Sequence, residues 1–282
     1  MEVIELSHKD VLSILPERDM CAHKGSFGRI MLLCGSRGYT GAAALAAMGA
    51  LRAGTGLVYL GVPESIYEIE AVKLLEPIVF PLPEKDGKFS EEAIDVLKDM
   101  ISNMDAVLVG PGMGVSADTL AVTAWVLQNA ACPVILDADG INVLCNHKDI
   151  LRGRTGLTIL TPHAGEFDRF VGIACTDKMH QTAALAKDLG VIVVHKGHGT
   201  VISDGERVYR NPTGNPGMAV GGSGDVLSGI IAALVGQGVQ ALDAAACGVW
   251  LHGAAGDICS LEIGQYGMLP SDMLTVLPRL LK

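Results

Sequence analysis

Asn215-Pro216-Gly217-Met218-Ala219-Val220-Gly221-Gly222-Ser223-Gly224-Asp225-Val226-Leu227-Ser228-Gly229 crowds glycines around one carboxylate and runs straight into the apolar stretch Ile230 to Val235. A glycine-rich turn that opens a helix makes an anion site. The first backbone N–H groups have no intrahelical acceptor, and the helix dipole favours negative charge there. Asp225 inside such a turn would repel a bound phosphate. It makes chemical sense where the anion arrives with a proton to be removed, which points to a general base beside a phosphate hole. A plainer reading also stands: a glycine-rich turn in which Asp225 is a helix N-cap.

Outward from this turn, apolar runs alternate with helical patterns. Strands are expected at Arg29–Cys34, Leu57–Val62, Ala106–Val109, Pro133–Leu136, Leu157–Leu160 and Val191–His195. Helices are expected at Gly41–Ala53, Glu91–Met100, Ala117–Asn129 and Asp177–Leu189, and then at Asp225–Val235, Ala241–Ile258 and Ser271–Leu280. This order implies βαβ units and an α/β fold: a mostly parallel sheet with helices on both faces. Thr200–Ser203 and Arg207–Arg210 flank Asp204-Gly205, a turn signal for a late antiparallel hairpin. No linker or repeat divides the chain, so residues 1–282 are expected to form a single domain.

The 282 residues are 49% apolar, enough for a sizeable core, and carry a formal net charge of -10. That charge argues against non-specific nucleic-acid binding, so a small anionic ligand needs a local site. The seven cysteines form no CxxC pair and read as reduced thiols of a cytoplasmic protein. The start lacks a basic segment followed by an apolar one, as a signal peptide has, and the long uncharged runs are too short for a membrane span.

Five expected strands end in loops rich in special residues: Gly35-Ser36-Arg37-Gly38-Tyr39-Thr40-Gly41, Gly110-Pro111-Gly112-Met113-Gly114, Asp137-Ala138-Asp139-Gly140, Thr161-Pro162-His163-Ala164-Gly165-Glu166 and Lys196-Gly197-His198-Gly199-Thr200. Ligands of open α/β sheets bind outside the carboxyl ends of strands, so the five loops predict one composite cleft. Lys196 to Thr200 offer a cation and free N–H groups suited to a nucleotide, or else a hairpin entry. Glu166 three residues after His163 has capping-box spacing but no Ser or Thr cap, which favours a ligand role for the imidazole. The Gly110–Gly114 run admits a ligand or makes a tight turn. Asp137 and Asp139 resemble a metal or acid/base pair, or Asp139 caps the helix that follows. His23 and Lys24 read as a solvated loop; His8, His147, His180 and His252 belong to no constellation. Zinc-ligand spacing, a P-loop and a Rossmann GxGxxG are all missing.

In their order these motifs resemble the ribokinase-like superfamily and, within it, the ADP-dependent NAD(P)H-hydrate dehydratase family. The resemblance runs from His23-Lys-Gly-Ser-Phe-Gly28 through Arg52-Ala-Gly54, Val109-Gly-Pro-Gly-Met-Gly114, Leu136-Asp-Ala-Asp-Gly-Ile-Asn142 and Thr161–Glu166 to Lys196–Thr200 and Gly221–Asp225. It implies a three-layer sandwich and an enzyme that dehydrates the S epimer of hydrated NADH or NADPH, releasing phosphate and AMP from ADP, with Mg2+ assisting. By motif position, Ala43, Gly114 and His163 would contact the hydrate, and Lys196, Gly197, His198, Gly199, Thr200 and Gly224 the nucleotide. Gly222, Ser223 and Gly224 would form the anion hole, with Asp225 the catalytic residue at the reacting hydroxyl. The resemblance also implies a homotetramer. Because the motifs begin by His23, a separate epimerase is the expected partner. A small-molecule kinase of the same superfamily and a nucleotide-sensing protein without turnover are the competing readings. Ser223, where sugar kinases usually have Ala, and His163–Glu166 in place of their Asn-x-x-Glu speak against sugar phosphorylation.

Overall fold

The computed structural model describes residues 3–282. The chain begins β1 (Val3–Ile4), α1 (His8–Ile14), β2 (Arg29–Leu33), α2 (Thr40–Arg52), β3 (Leu57–Pro63), α3 (Glu64–Lys73) and β4 (Ile78–Leu82). A small ribbon, β5 (Glu84–Lys85) and β6 (Lys88–Phe89), leads to α4 (Ala93–Leu97), β7 (Ala106–Val109), α5 (Ala117–Asn129), β8 (Val134–Leu136), α6 (Asp139–Asn142) and α7 (Asp149–Arg152). Then come β9 (Thr158–Leu160), α8 (Ala164–Val171), α9 (Lys178–Leu189), β10 (Ile192–His195), β11 (Val201–Ser203) and β12 (Val208–Arg210). The chain closes with α10 (Ser223–Gly236), α11 (Ala241–Glu262) and α12 (Pro270–Val276).

Ten strands form one sheet in the order β1-β12-β11-β10-β9-β8-β7-β2-β3-β4. Only β11 runs against its neighbours, pairing antiparallel with both β10 and β12. The expected parallel sheet and late hairpin are both present. Side chains alternate across the sheet with period two. Ile30 and Leu32 of β2 and Ala106 and Leu108 of β7 face one apolar core, shared with α2, α10, α11 and α12. Met31, Leu33, Val107 and Val109 face the other, shared with α4, α5, α8 and α9. A sheet covered on both faces needs apolar residues at every position, so its strands read as unbroken apolar runs.

β2, β7, β8, β9 and β10 pair parallel in succession, so all present their carboxyl ends on one edge. α10 reaches that edge by crossing α2 at close range. A Cβ at Gly49 would sit 2.6 Å from the Val226 carbonyl oxygen, and one at Gly229 would overlap the Ala46 carbonyl. Two glycines thus let the helices touch backbone to backbone, which fixes where the α10 N-terminus lies.

Some elements differ from expectation. The helix expected over Glu91–Met100 is only Ala93–Leu97, followed by a 3-10 turn at Ile101–Asn103. The final helix stops at Val276, where Leu277-Pro278-Arg279 tightens into a 3-10 turn. β1, α3, β4 and the β5–β6 ribbon carry no clear sequence signal. β4 contains Pro81, which is tolerated because β4 lies at the sheet edge.

Candidate active site

A cavity of about 740 Å3 opens at the carboxyl edge of the sheet. Its walls come from the loops after β8, β9, β10 and β12, from the N-terminus of α10 and from α11. Lys196, Gly197, His198 and Thr200 line it, as do His163, Gly222, Ser223, Gly224 and Asp225. Gly199 faces a smaller neighbouring pocket. Ala43 and Gly114 do not line the main cavity. Ala43 is fully buried in the first turn of α2, and Gly114 lies behind Asp139. His23 and Lys24 precede β2, at the opposite edge of the sheet.

The glycine-rich turn opens α10, as expected. Gly222 is the α10 N-cap with φ 96°, and it makes no side-chain cap bond. Ser223 N donates to Val220 O, while the N–H groups of Gly222, Gly224 and Asp225 meet no acceptor among the described residues. Asp225 lies in the first turn rather than at the cap, so the capping reading of this carboxylate does not hold. Burial and repulsion from Asp137 push its pKa from the usual 3.8 up to about 6, against the pull of Lys196.

Lys196 and Asp137 form the pair at the centre of the site. Lys196 Nζ donates to Asp137 Oδ1 at 2.6 Å, and Thr161 Oγ1 donates to the same oxygen at 2.8 Å. Asp137 is 1% exposed, a buried charge that needs both donors. Burial works against the Lys196 ammonium, but Asp137, Glu166 and Asp225 outweigh it and hold its pKa above the ordinary range. A Cβ on Gly224 would lie 3.1 Å from Lys196 Nζ, so the cation sits directly against the anion loop.

Asp139 does not cap a helix. Ala138 is the N-cap of α6, with φ 47° and ψ -112°. With Gly140 N donating to Asp137 O at 2.9 Å, these angles describe a type II′ turn, strained for alanine. The turn sends the two neighbouring carboxylates to different partners. Asp137 meets Lys196, while Asp139 Oδ2 accepts from Gly114 N at 2.8 Å. The Gly110–Gly114 loop is thereby tied to the cavity through Asp139.

His163 corrects the sequence reading. Its Nδ1 accepts from Gly165 N at 3.0 Å and Glu166 N at 3.3 Å, and Glu166 Oε2 accepts from His163 N at 2.9 Å. This is a complete capping box with an imidazole nitrogen in place of a hydroxyl. The ring remains half exposed beside the cavity, so capping leaves its outer face available.

His252 is the residue that sequence reasoning missed. It lies on α11, buried, with Nε2 3.3 Å from Ser223 Oγ, and it lines the cavity. Burial lowers its pKa to about 4, so it is neutral at physiological pH. Nothing in the run around His252 marks it; only the packing of α11 beneath α10 brings it to Ser223. Asn211, Asn215 and Met218 also line the cavity without having been singled out.

Among the described residues, no three His, Cys, Asp or Glu side chains cluster closely enough to hold a metal ion. Asp137, Asp139, Glu166 and Asp225 nonetheless outnumber Lys196 here, leaving the cluster net negative. Such a donor set fits Mg2+ that arrives on phosphate oxygens and takes one or two carboxylates from the protein.

Residues 30–279 match the model of the NAD(P)H-hydrate dehydratase family. The bifunctional NAD(P)H-hydrate repair enzyme of Moorella thermoacetica is 42% identical over 96% of this chain, which spans 52% of that enzyme. The corresponding Escherichia coli enzyme is 34% identical, with coverages of 94% and 50%. The chain therefore spans about half the length of these curated relatives. The ADP/ATP-dependent NAD(P)H-hydrate dehydratase of Bacillus subtilis, co-crystallised with ATP/Mg2+, superposes with a TM-score of 0.86 at 31% identity, covering 99% of this chain and 98% of that one. Hydroxyethylthiazole kinase from Pyrococcus horikoshii shares the fold alone, at 16% identity, a TM-score of 0.66 and coverages of 96% and 93%. With its three layers, its glycine-rich turn before α10 and a family match over most of its length, this chain belongs to the NAD(P)H-hydrate dehydratase family on the ribokinase-like fold.

Proposed function

We propose that this chain, acting as one domain, dehydrates the S epimer of hydrated NADH or NADPH with consumption of ADP or ATP. The observation that carries the reading is Asp225. It is a half-buried carboxylate at a helix N-terminus whose first N–H groups meet no protein acceptor, with a lysine held against the same loop. Above about pH 6 it is ionised and able to accept a proton.

Asp225 takes the proton of the ring hydroxyl as that oxygen attacks the terminal phosphorus of the nucleotide. The bond to the leaving AMP (or ADP) oxygen breaks, and the N–H groups at Gly222 and Gly224 stabilise charge on the transferring group. Lys196 neutralises charge on the nucleotide's phosphates. Lys196, Gly197, His198, Gly199, Thr200 and Gly224 make up the nucleotide half of the site; the hydrate half is taken to start at His163 and to extend beyond the main cavity toward the start of α2 and the Gly110–Gly114 loop, where Ala43 and Gly114 lie. The hydroxyl oxygen, a poor leaving group as hydroxide, has now become part of a phosphate ester. The ring nitrogen lone pair expels inorganic phosphate, and loss of a ring proton restores the dihydronicotinamide. Glu166, which lines the cavity, would help to hold a Mg2+ ion that arrives with the nucleotide, and the ion would supply charge neutralisation at the phosphates.

Incubation with hydrated NADH and ADP or ATP, following dihydronicotinamide absorbance and free phosphate together, tests the reading. Equal recovery of both supports it. A stable phosphoester would indicate a kinase, and binding without consumption a sensor. The assembly proposed is a homotetramer in the cytoplasm, supplied with the S epimer by an epimerase activity. Light scattering on the purified chain checks the assembly. Among the described residues, no helix is long and apolar enough to cross a membrane.

A further inference from the structure

The wall of the cavity between β12 and the anion loop is a segment with little regular structure of its own. Backbone polar groups in such a segment need partners, and α11 supplies them from one face. Asp257 Oδ2 accepts from Gly214 N at 2.9 Å, and Asp257 Oδ1 accepts from Asn215 Nδ2 at 3.0 Å. Two turns earlier on the helix, the Trp250 carbonyl accepts from Thr213 Oγ1 at 3.0 Å. Between them, Gly253 and Gly256 let the wall approach. A Cβ at Gly253 would lie 2.8 Å from the Thr213 carbonyl carbon, and one at Gly256 would lie 2.7 Å from Met218 Cγ. Positions 250, 253, 256 and 257 share a helix face by their spacing.

Thr213, Gly214, Asn215 and Met218 line the cavity, whereas Asp257 does not. Both Asp257 oxygens are engaged with donors of the wall, and Asn215 passes the restraint on by accepting from Gly217 N at 3.0 Å. From Gly217 the chain runs directly into the anion loop.

We infer that Asp257 is a positioning residue for the nucleotide. Through Gly214 and Asn215 it sets the wall that faces Lys196–Thr200, and with it the entry to the anion loop. This inference rests on the proposed function in taking that half of the cavity as the nucleotide's.

The bond pattern gives the test. Both partners of Asp257 are donors, so Asp257→Asn sets an amide N–H against another donor while keeping the side chain's size. Misplacing a wall of the site by such a change is expected to raise ADP Kd and KM about ten- to a hundredfold. The drop in kcat at saturation is smaller. Asn215→Asp combined with Asp257→Asn reverses donor and acceptor across the same contact. The carboxylate placed at position 215 still accepts from Gly217 N, and ADP affinity returns to within about threefold of wild type. Calorimetric titration with Mg2+-ADP, with Tm measured alongside, reads binding without the hydrate. ADP affinity unchanged in Asp257→Asn overturns the inference, as does failure of the double exchange to restore it. Wild-type protein that binds neither ADP nor ATP overturns the nucleotide reading itself, and the inference with it. Wild type that binds while the exchange fails leaves that reading standing.

Discussion

Replacing Asp225 by Asn isolates one charge in a site crowded with carboxylates. Asn keeps the size of Asp and cannot ionise. Burial and Asp137 raise the Asp225 pKa from 3.8 to about 6 in the folded chain. A raised carboxyl pKa means that the folded state binds its proton more tightly than the unfolded chain does. Its contribution is therefore favourable below pH 3.8 and is lost as pH rises through 6. A rise of about two pKa units costs the folded state about 3 kcal/mol once the group is fully ionised. Asp225→Asn removes that cost. At pH 8 the variant is expected to be more stable by about 3 kcal/mol, or about 5 °C in Tm for a chain of this size. At about pH 5 roughly half the gain remains, and near pH 4 little does. Turnover moves the other way, falling about 10²-fold or more with the base removed, while ADP binding persists. Thermal melts of both proteins across this range, paired with assays at pH 8, give the answer. A variant no more stable than wild type at pH 8, or a difference that does not change with pH, refutes the account of a desolvated carboxylate. Near-wild-type turnover removes Asp225 from the mechanism.

Lys196→Met leaves Asp137 buried without its cation and is expected to cost about 3–5 kcal/mol by chemical denaturation, with loss of nucleotide affinity. His163→Ser keeps a capping acceptor and His163→Ala does not. Only the alanine variant should lose about 1 kcal/mol in denaturant melts, whereas both should weaken hydrate KM if the ring meets the substrate. Gly229→Ala drives a methyl into the Ala46 carbonyl and is expected to cost about 1–3 kcal/mol and shift the α10 N-terminus, lowering kcat as well as Tm. His195 and His252 are both held near pKa 4, chiefly by burial, so the stability they contribute is complete above pH 6.5 and is lost as pH falls through about 4. His252→Gln should flatten the acid limb of wild-type stability between those values, and an unchanged limb would show that His252 is solvated.

Much of the fold was legible because it rests on local pattern. β2, β7, β8 and β10 are short apolar runs separated by helical periodicity, and a strand buried on both faces can read no other way. Asp204-Gly205 announced the antiparallel excursion of the main sheet. The glycine-rich turn into α10 could be read as local structure, since glycine spacing, a carboxylate and a following apolar helix are all local features. Elements at the margin escaped. β1 is two residues long, and β4 carries a proline that only an edge position excuses. The capping role of His163 escaped because an imidazole nitrogen can replace a cap hydroxyl, and composition does not show which way a ring is turned.

By itself, then, the sequence determined the α/β order, the parallel edge with its glycine-rich loops, and the placing of Asp225 at a helix N-terminus. Tertiary structure alone decided what surrounds that carboxylate. Lys196 meets Asp137 across 59 residues, and His252 reaches Ser223 across 29. Asp139 turns away to Gly114, and Asp257 grips the wall at Gly214 and Asn215. Backbone preference and hydrophobic period act over a few neighbours and are written along the chain. Desolvation, charge pairing and the aim of a side chain depend on which distant segments pack together, and they come into being only when the sheet and its helices close around the cavity.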